Sequence, residues 1–360
     1  MKIVIATGGS AGHIFPALKV AEQLKRKGHV VLFAGAFTRS LSYIERSGCA
    51  FTAISARGMA LWPPQRAVVA FYFMLQSIGE SLRILKKFKP DVVCGFGGYG
   101  SFPVVLVAAF LRYPTLIHEQ NVVPGKANCL LAKFVQRIAL TFKESMQYFP
   151  SGKTVVTGCP CHAQFPDESR EKLIARFQLD PQKRTILVLG GSQGSHRINL
   201  ELMNTIESLK KRGDVQVIHV SGNKDYQDLK FFYEQSGIPF QLFDFLEDMG
   251  GAYKVADLVV SRAGAVTVLE IARFRIPAIL IPYPFAGGHQ KENAKILNLT
   301  GWARMIDEKD LNASALQQTM MELLGKSFNR EEMKKSVENI FIPEAGSRIA
   351  EEIIRLGGHI

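Results

Sequence analysis

The chain passes from a strand into a helix through a glycine-rich loop twice, and the two loops lie about half the chain apart. The first reads Ile3-Val4-Ile5-Ala6-Thr7-Gly8-Gly9-Ser10-Ala11-Gly12-His13, the second Ile186-Leu187-Val188-Leu189-Gly190-Gly191-Ser192-Gln193-Gly194-Ser195. Unsatisfied N–H groups and aligned peptide dipoles at a helix start favour negative charge, so each loop can hold a phosphate or a developing anion. A chain of 360 residues is too long for one ordinary core and fits two domains of roughly 150 to 200 residues. Two loops in two domains predict lobes that face each other across a cleft.

Continuous apolar runs bounded by glycine and separated by helical stretches indicate parallel strands covered on both faces. In the first half the pattern predicts strands Lys2–Ala6, Val30–Ala34 and Asp91–Cys94, with helices over 14–27 and 40–47. After Arg184 the scheme repeats, with strands near 185–189, 215–220, 239–243, 257–260 and 277–281 and helices such as 196–212 and 266–274. The expected class is α/β, two Rossmann-like doubly wound parallel-sheet domains. Their expected bounds are 1–162 and 163–342, and the segment Gly158–Asp180 is expected to be the linker or hinge. Helix-forming stretches at 329–341 and 344–356 follow, and the last, about 343–360, is expected to pack back on the first domain.

Charge divides the chain in the same place. Residues 1–160 hold 19 Lys and Arg against 6 Asp and Glu, a surplus of 13 in a chain whose total is +12. An anionic partner for the first half follows, either a nucleic acid or an acidic membrane surface. Neither interleaved aromatics nor a basic recognition helix is evident, so the membrane is favoured and no nucleic acid is expected. The five cysteines, Cys49, Cys94, Cys129, Cys159 and Cys161, show neither a disulfide framework nor a Cys-x-x-Cys metal site, which fits a reduced, cytoplasmic compartment. No secretory signal and no apolar run of the ~18 to 20 residues that span a bilayer are expected.

Spacing narrows the chemistry of the loops. Neither reads G-x-G-x-x-G, and Val30–Ala34 ends without the acid that grips an NAD ribose. No G-x-x-x-x-G-K-[ST] occurs, which removes a P-loop. The plain alternative is that the glycines only make tight turns. A third strand-end glycine lies in Ser261-Arg262-Ala263-Gly264-Ala265-Val266-Thr267-Val268-Leu269-Glu270. Glu270 falls about two turns into that helix, where a carboxylate facing the cleft could accept from both hydroxyls of a ribose, or could simply be a solvated helix residue. Further on, Gln290 and Asn293 offer the amide groups that recognise sugar hydroxyls.

Gly8-Gly9-Ser10-Ala11-Gly12-His13-Ile14-Phe15-Pro16, His118-Glu119-Gln120-Asn121, Gly190-Gly191-Ser192-Gln193-Gly194 and Arg262–Glu270 together resemble the MurG family, and in its order. Those are bacterial GT-B glycosyltransferases of family 28 that add N-acetylglucosamine to lipid I in peptidoglycan synthesis. The resemblance runs from about residue 2 to the C-terminal helix. It implies a GT-B fold with an acceptor domain first and a UDP-sugar domain second. The implied reaction is inverting transfer from UDP-N-acetylglucosamine to the 4-hydroxyl of the muramyl sugar of lipid I, an undecaprenyl-pyrophosphoryl-muramyl-pentapeptide, giving lipid II. The implied location is the cytoplasmic face of the bacterial inner membrane, held peripherally.

By the same resemblance, Ser10, Ala11, Gly12, Asn121, Ser192, Leu246, Ala265, Val266, Thr267, Val268, Leu269, Glu270 and Gln290 occupy donor-binding positions, with uracil near the 244–249 turn. One position departs from the family pattern. Where Asn-Pro-x-Arg is usual, this chain reads Cys159-Pro160-Cys161-His162, which puts His162 in place of a bidentate arginine.

Inverting transfer needs a base for the acceptor hydroxyl and stabilisation of departing UDP. His13 and Glu119 are the candidates for base, His13 slightly ahead because imidazole titrates near neutrality. Each has a structural alternative, His13 as a loop-closing hydrogen bond and Glu119 as the acid that fixes its loop. His118, one position earlier on its strand, is expected to face the other way and to take no catalytic part. No Asp-x-Asp cluster occurs, so no metal and no cofactor is expected, and helix N-termini must carry the leaving-group charge. The apolar stretch Val68–Leu75, flanked by Arg66 and by Arg83, Lys86, Lys87 and Lys89, suits a surface helix dipping into an anionic leaflet, or an ordinary buried helix. The rival readings are another GT-B lipid glycosyltransferase, a UDP-N-acetylglucosamine 2-epimerase, and a non-catalytic nucleotide-binding or membrane-adaptor protein.

Overall fold

The computed structural model describes residues 1–37, 41–57, 64–161, 163, 165–191, 194–285 and 287–358. The chain divides into two compact units, Met1–His162 with Ile342–Ile360, and Ala163–Phe341. His162 and Ser192, two of the expected donor contacts, fall outside the described residues.

In the first unit the chain runs β1 (Lys2–Gly8), α1 (Ala11–Arg26), β2 (Val30–Ala36), α2 (Leu41–Arg46), β3 (Ala50–Ala53), α3 (Pro64–Phe88), β4 (Val92–Gly95), α4 (Phe102–Phe110), β5 (Thr115–Glu119), α5 (Lys126–Leu131), β6 (Arg137–Leu140) and β7 (Thr154–Val156). Among the described residues these strands form one seven-stranded parallel sheet in the order β3-β2-β1-β4-β5-β6-β7. Ile3, Val4, Ile5 and Ala6 are all fully buried, as a strand covered on both faces requires. Strand order reverses between β1 and β4, so the loops after these two strands part and open a crevice at their C-terminal ends. Gly97 sits on the loop after β4, and His13 in the first turn of the helix that follows the loop after β1.

The second unit continues with α6 (Arg170–Arg176), β8 (Arg184–Leu189), α7 (His196–Arg212), β9 (Val215–Val220), α8 (Tyr226–Ser236), β10 (Phe240–Phe243) and α9 (Met249–Val255). It is completed by β11 (Leu258–Ser261), α10 (Ala265–Phe274), β12 (Ala278–Leu280), α11 (His289–Asn298), β13 (Ala303–Met305), α12 (Ala313–Gly325) and α13 (Arg330–Val337). Its described strands form a six-stranded parallel sheet, β10-β9-β8-β11-β12-β13, whose order reverses between β8 and β11. The second glycine loop and the Arg262–Gly264 turn therefore lie at that switch point.

The last helix, α14 (Ala345–Gly357), packs in the first unit. Its Ile349, Ala350 and Ile353 share one core with Ala17, Val20, Ala21 and Leu24 of α1. Each isoleucine removed from water there stabilises by about 1.5 to 3 kcal/mol. Arg137 Nε donates to Glu352 Oε2 at 3.1 Å and ties the same helix to β6.

One expectation changes, and one pair of alternatives narrows. Gly158–Asp180 is not all linker: Ser169 caps α6 by accepting from the Lys172 N–H, and Leu173 and Ile174 are buried. In α3, of the buried and surface readings, the described part of the apolar stretch agrees with the surface one. Val69, Phe71, Tyr72 and Leu75 are 50 to 64% exposed, whereas Ser77, Ser81 and Leu85, four residues apart on one face, are fully buried. Among the described residues no helix is long and apolar enough to cross a membrane.

Candidate functional site

At the switch point of the first unit, His13 lies in the first turn of α1 and Gln120 follows β5. His13 Nδ1 is 3.2 Å from Gln120 Oε1. Gln120 Nε2 donates to the Phe96 carbonyl at 2.9 Å and lies 3.1 Å from His118 Nδ1. His118 Nε2 is in turn 3.0 Å from the Gly158 carbonyl. His118 is fully buried. Burial pulls its imidazole down to about 4, opposed by the hydrogen bond to Gly158 and assisted by nearby His13. His118 is thus a neutral ring joined to His13 through one amide, a connection that its expected orientation did not include.

Gly97 closes the other side of the His13 ring. Its φ of +82° is in the left-handed region, and a Cβ there would come within 2.9 Å of His13 Nδ1 and 3.3 Å of Gln120 Oε1. Glycine is required both for the backbone and for the contact.

Glu119 has other work. It is 1% exposed. Oε1 accepts from the Asn121 N–H (2.9 Å) and Asn121 Nδ2 (3.2 Å), and Oε2 from the Gly125 N–H (3.1 Å) and Asn128 Nδ2 (2.8 Å). Four donors on this buried carboxylate fold residues 120–128 around it. Asn121 is held by that carboxylate, and its carbonyl accepts from Ser145 Oγ at 3.0 Å.

The helix starts differ in how they are capped. Ser10 is the N-cap of α1 and is exposed, with no side-chain cap hydrogen bond, and Ala11 and Gly12 open the helix behind it. Gly264 caps α10, again without a side chain to offer, ahead of Ala265, Val266 and Thr267. By contrast, α7 behind the second glycine loop is capped by Ser195, which accepts from the Ile198 N–H. First-turn N–H groups of α1 and α10 therefore lack the side-chain acceptor that α7 has, the arrangement that suits an anion. Within α10, Val268 and Leu269 are core, while Val266 and Thr267 are half-buried.

Glu270 is no solvated helix residue, being 6% exposed. Oε1 accepts from the Ala163 N–H at 2.8 Å and Oε2 from the Tyr253 hydroxyl at 3.2 Å. Gln290 Oε1 accepts from the N–H groups of Ala263 (3.1 Å) and Tyr283 (3.0 Å), which joins the loops after β11 and β12 and leaves its amide hydrogens as donors. Asn293 is fully buried with Nδ2 donating to the Ala263 carbonyl at 3.2 Å, so it braces the loop from inside. Leu246 is half-buried in the turn before α9, where Asp248 accepts from the Gly251 N–H at 3.0 Å and caps that helix. Gln120, Tyr253 and Asn128 are the site residues that sequence reading missed, and His118 is one that it set aside. Of the three missed, Gln120 carried a signal, as a letter of His118-Glu119-Gln120-Asn121. Among the described residues no group of three or more His, Cys, Asp or Glu is disposed to hold a metal.

Residues 3–140 match the glycosyltransferase family 28 N-terminal domain and 185–349 the family 28 C-terminal domain. A UDP-N-acetylglucosamine–N-acetylmuramyl-(pentapeptide) pyrophosphoryl-undecaprenol N-acetylglucosamine transferase of Halothermothrix orenii is 38% identical, over 96% of each chain. The transferase of that name from Thermodesulfovibrio yellowstonii is 37% identical over 98% of this chain and 97% of its own. Among solved structures, the crystal structure of Acinetobacter baumannii MurG superposes with a TM-score of 0.76 at 28% identity, covering 98% of this chain and 99% of that one. The fold is GT-B, each unit a doubly wound parallel sheet, and the chain belongs to glycosyltransferase family 28.

Proposed function

We propose that this glycosyltransferase moves N-acetylglucosamine from UDP-N-acetylglucosamine to the 4-hydroxyl of the muramyl sugar of a lipid-linked muramyl-pentapeptide, with inversion. Full-length similarity to relatives named for that transfer carries the reading. In it, the first unit supplies the base and the second grips the donor. His13 takes the acceptor proton on Nε2 as the hydroxyl oxygen bonds to the anomeric carbon. The bond from that carbon to the β-phosphate oxygen breaks, its electron pair leaves with UDP, and the proton on His13 passes to solvent. A general base of this kind is worth about 10²- to 10⁴-fold in rate. Glu119 is the scaffold of the 120–128 loop, since both its oxygens already accept two hydrogen bonds.

The uncapped first turn of α10 stabilises the leaving diphosphate, and Ser10, Ala11 and Gly12 at the start of α1 offer a second N-terminal dipole. Glu270 and Gln290 hold the ribose and sugar hydroxyls, Leu246 borders the uracil, and Asn121, Ser192 and His162 complete the contacts. The chemistry is independent of metal. The exposed apolar start of α3 and the basic residues at its end seat the enzyme on the anionic cytoplasmic leaflet.

Purified enzyme with UDP-N-acetylglucosamine and a soluble lipid I analogue should release UDP, and UDP-N-acetylglucosamine alone should stay intact. Consumption of the nucleotide sugar without acceptor would identify an epimerase, and transfer to diacylglycerol a different lipid transferase. Activity lost in chelator and restored by magnesium would reject the metal-free mechanism. His13→Ala should lower kcat at least about 100-fold, and an unchanged kcat would remove His13 as base.

A further inference from the structure

The hydrogen bonds behind His13 have one consistent set of protons. The Gly158 carbonyl only accepts, so His118 Nε2, 3.0 Å away, carries the hydrogen. The buried ring is neutral, which makes its Nδ1 an acceptor. The Phe96 carbonyl, 2.9 Å from Gln120 Nε2, fixes which end of the amide is nitrogen, and its second hydrogen goes to His118 Nδ1 at 3.1 Å. Gln120 must then present oxygen to His13. Facing an oxygen at 3.2 Å, His13 Nδ1 is the donor.

We propose that Gln120 and His118 are positioning residues that hold His13 in its Nδ1–H form and so place the basic lone pair on Nε2. Neutral histidine in water favours the opposite tautomer, with hydrogen on Nε2, so the network reverses an intrinsic preference. As the base takes a proton, Gln120 Oε1 keeps accepting from Nδ1–H and steadies the imidazolium. Gly97 leaves the ring its place, since a Cβ there would lie 2.9 Å from Nδ1. Glutamine does here what a carboxylate does in other histidine bases, without adding a negative charge beside a substrate that is itself an anion. Its end in the Gly158 carbonyl anchors the network to the backbone just before the second unit begins.

The functional meaning rests on the reading of His13 as base, but the tautomer can be measured apart from turnover. Long-range ¹H–¹⁵N correlation of the histidine rings in ¹⁵N-labelled full-length enzyme, assigned with His13→Ala, should show His13 Nδ1 protonated and Nε2 unprotonated near pH 8. Gln120→Met should restore the Nε2–H form and lower kcat by about 10-fold or more, with KM for UDP-N-acetylglucosamine within about 2-fold. His118→Phe should have a smaller effect, because Phe96 still orients the amide.

Wild-type His13 found as Nε2–H would overturn the proposal, whether or not the variants fold. So would Gln120→Met with tautomer and kcat unchanged. His13→Ala that keeps full activity would instead sink the base assignment, and the ring spectrum would still decide what Gln120 does.

Discussion

Lowering the pH from 7 to 5 should take about 2 kcal/mol from the stability of the second unit through His219 alone. His219 is fully buried in β9. Asn199 Nδ2 donates to the Ser221 carbonyl (3.1 Å) and Asp225 Oδ2 (2.7 Å), so Asn199 Oδ1 can only accept, and His219 Nε2 donates to it at 3.0 Å. His219 Nδ1 then accepts from the Tyr233 hydroxyl at 3.0 Å. Burial lowers the imidazole to about 3, with Asp225 opposing, from an ordinary 6.5. The unfolded chain therefore binds this proton first. Stability is complete above pH 6.5, falls as the pH drops through the window from 6.5 to 3, and is fully lost below it. Each pH unit inside that window costs about 1.4 kcal/mol, hence about 2 kcal/mol between pH 7 and pH 5, where the first half-unit contributes little. His219→Gln keeps one donor and one acceptor but cannot titrate. Urea unfolding at both pH values, followed by the fluorescence of Trp302 after Trp62→Phe, reads the unit that contains His219. Wild type should lose about 2 kcal/mol more than His219→Gln on acidification, and parallel pH dependences would refute the buried neutral ring.

Three further outcomes follow from the site. Gly97→Ala forces a left-handed φ on alanine and drives a methyl against His13, so it should cost about 1 kcal/mol in urea unfolding and lower kcat far more than KM for the donor; an unchanged kcat would show that the ring has room. Glu119→Gln turns an NH2 donor toward a pair of donors, whichever way the amide sits, and should destabilise the first unit by about 2 kcal/mol, with an unchanged melting temperature counting against the four-donor geometry. Reversing Lys86, Lys87 and Lys89 to Glu should weaken binding to phosphatidylserine vesicles at low salt, each residue being worth about 1 kcal/mol, and unchanged binding would remove the end of α3 from the membrane surface.

How far the chain can be read without coordinates depends on how local each cause is. Strands such as Ile3–Ala6 and Leu258–Ser261 are legible because burial on both faces leaves an unbroken apolar run, and the glycine loops because positive φ and close backbone approach exclude side chains. At Gly194 an added Cβ would lie 2.0 Å from the Ser221 carbonyl. The short strands β3, β6, β7 and β13 span three or four residues, and β3 is exposed throughout, so no periodicity marks them. In α6, seven residues inside a polar stretch announce themselves only by Ser169 and two apolar neighbours. Glu270 was visible as a carboxylate two turns into a helix, but its partners Ala163 and Tyr253 are 107 and 17 positions away, and nothing local predicts them. Gln120 is the sharpest case. Its three contacts reach 107, 24 and 2 positions along the chain, and they exist only because strand order reverses between β1 and β4 and brings α1, Phe96 and β5 to one point. A motif can therefore name the histidine, but which of its nitrogens is basic is decided by the topology of the sheet.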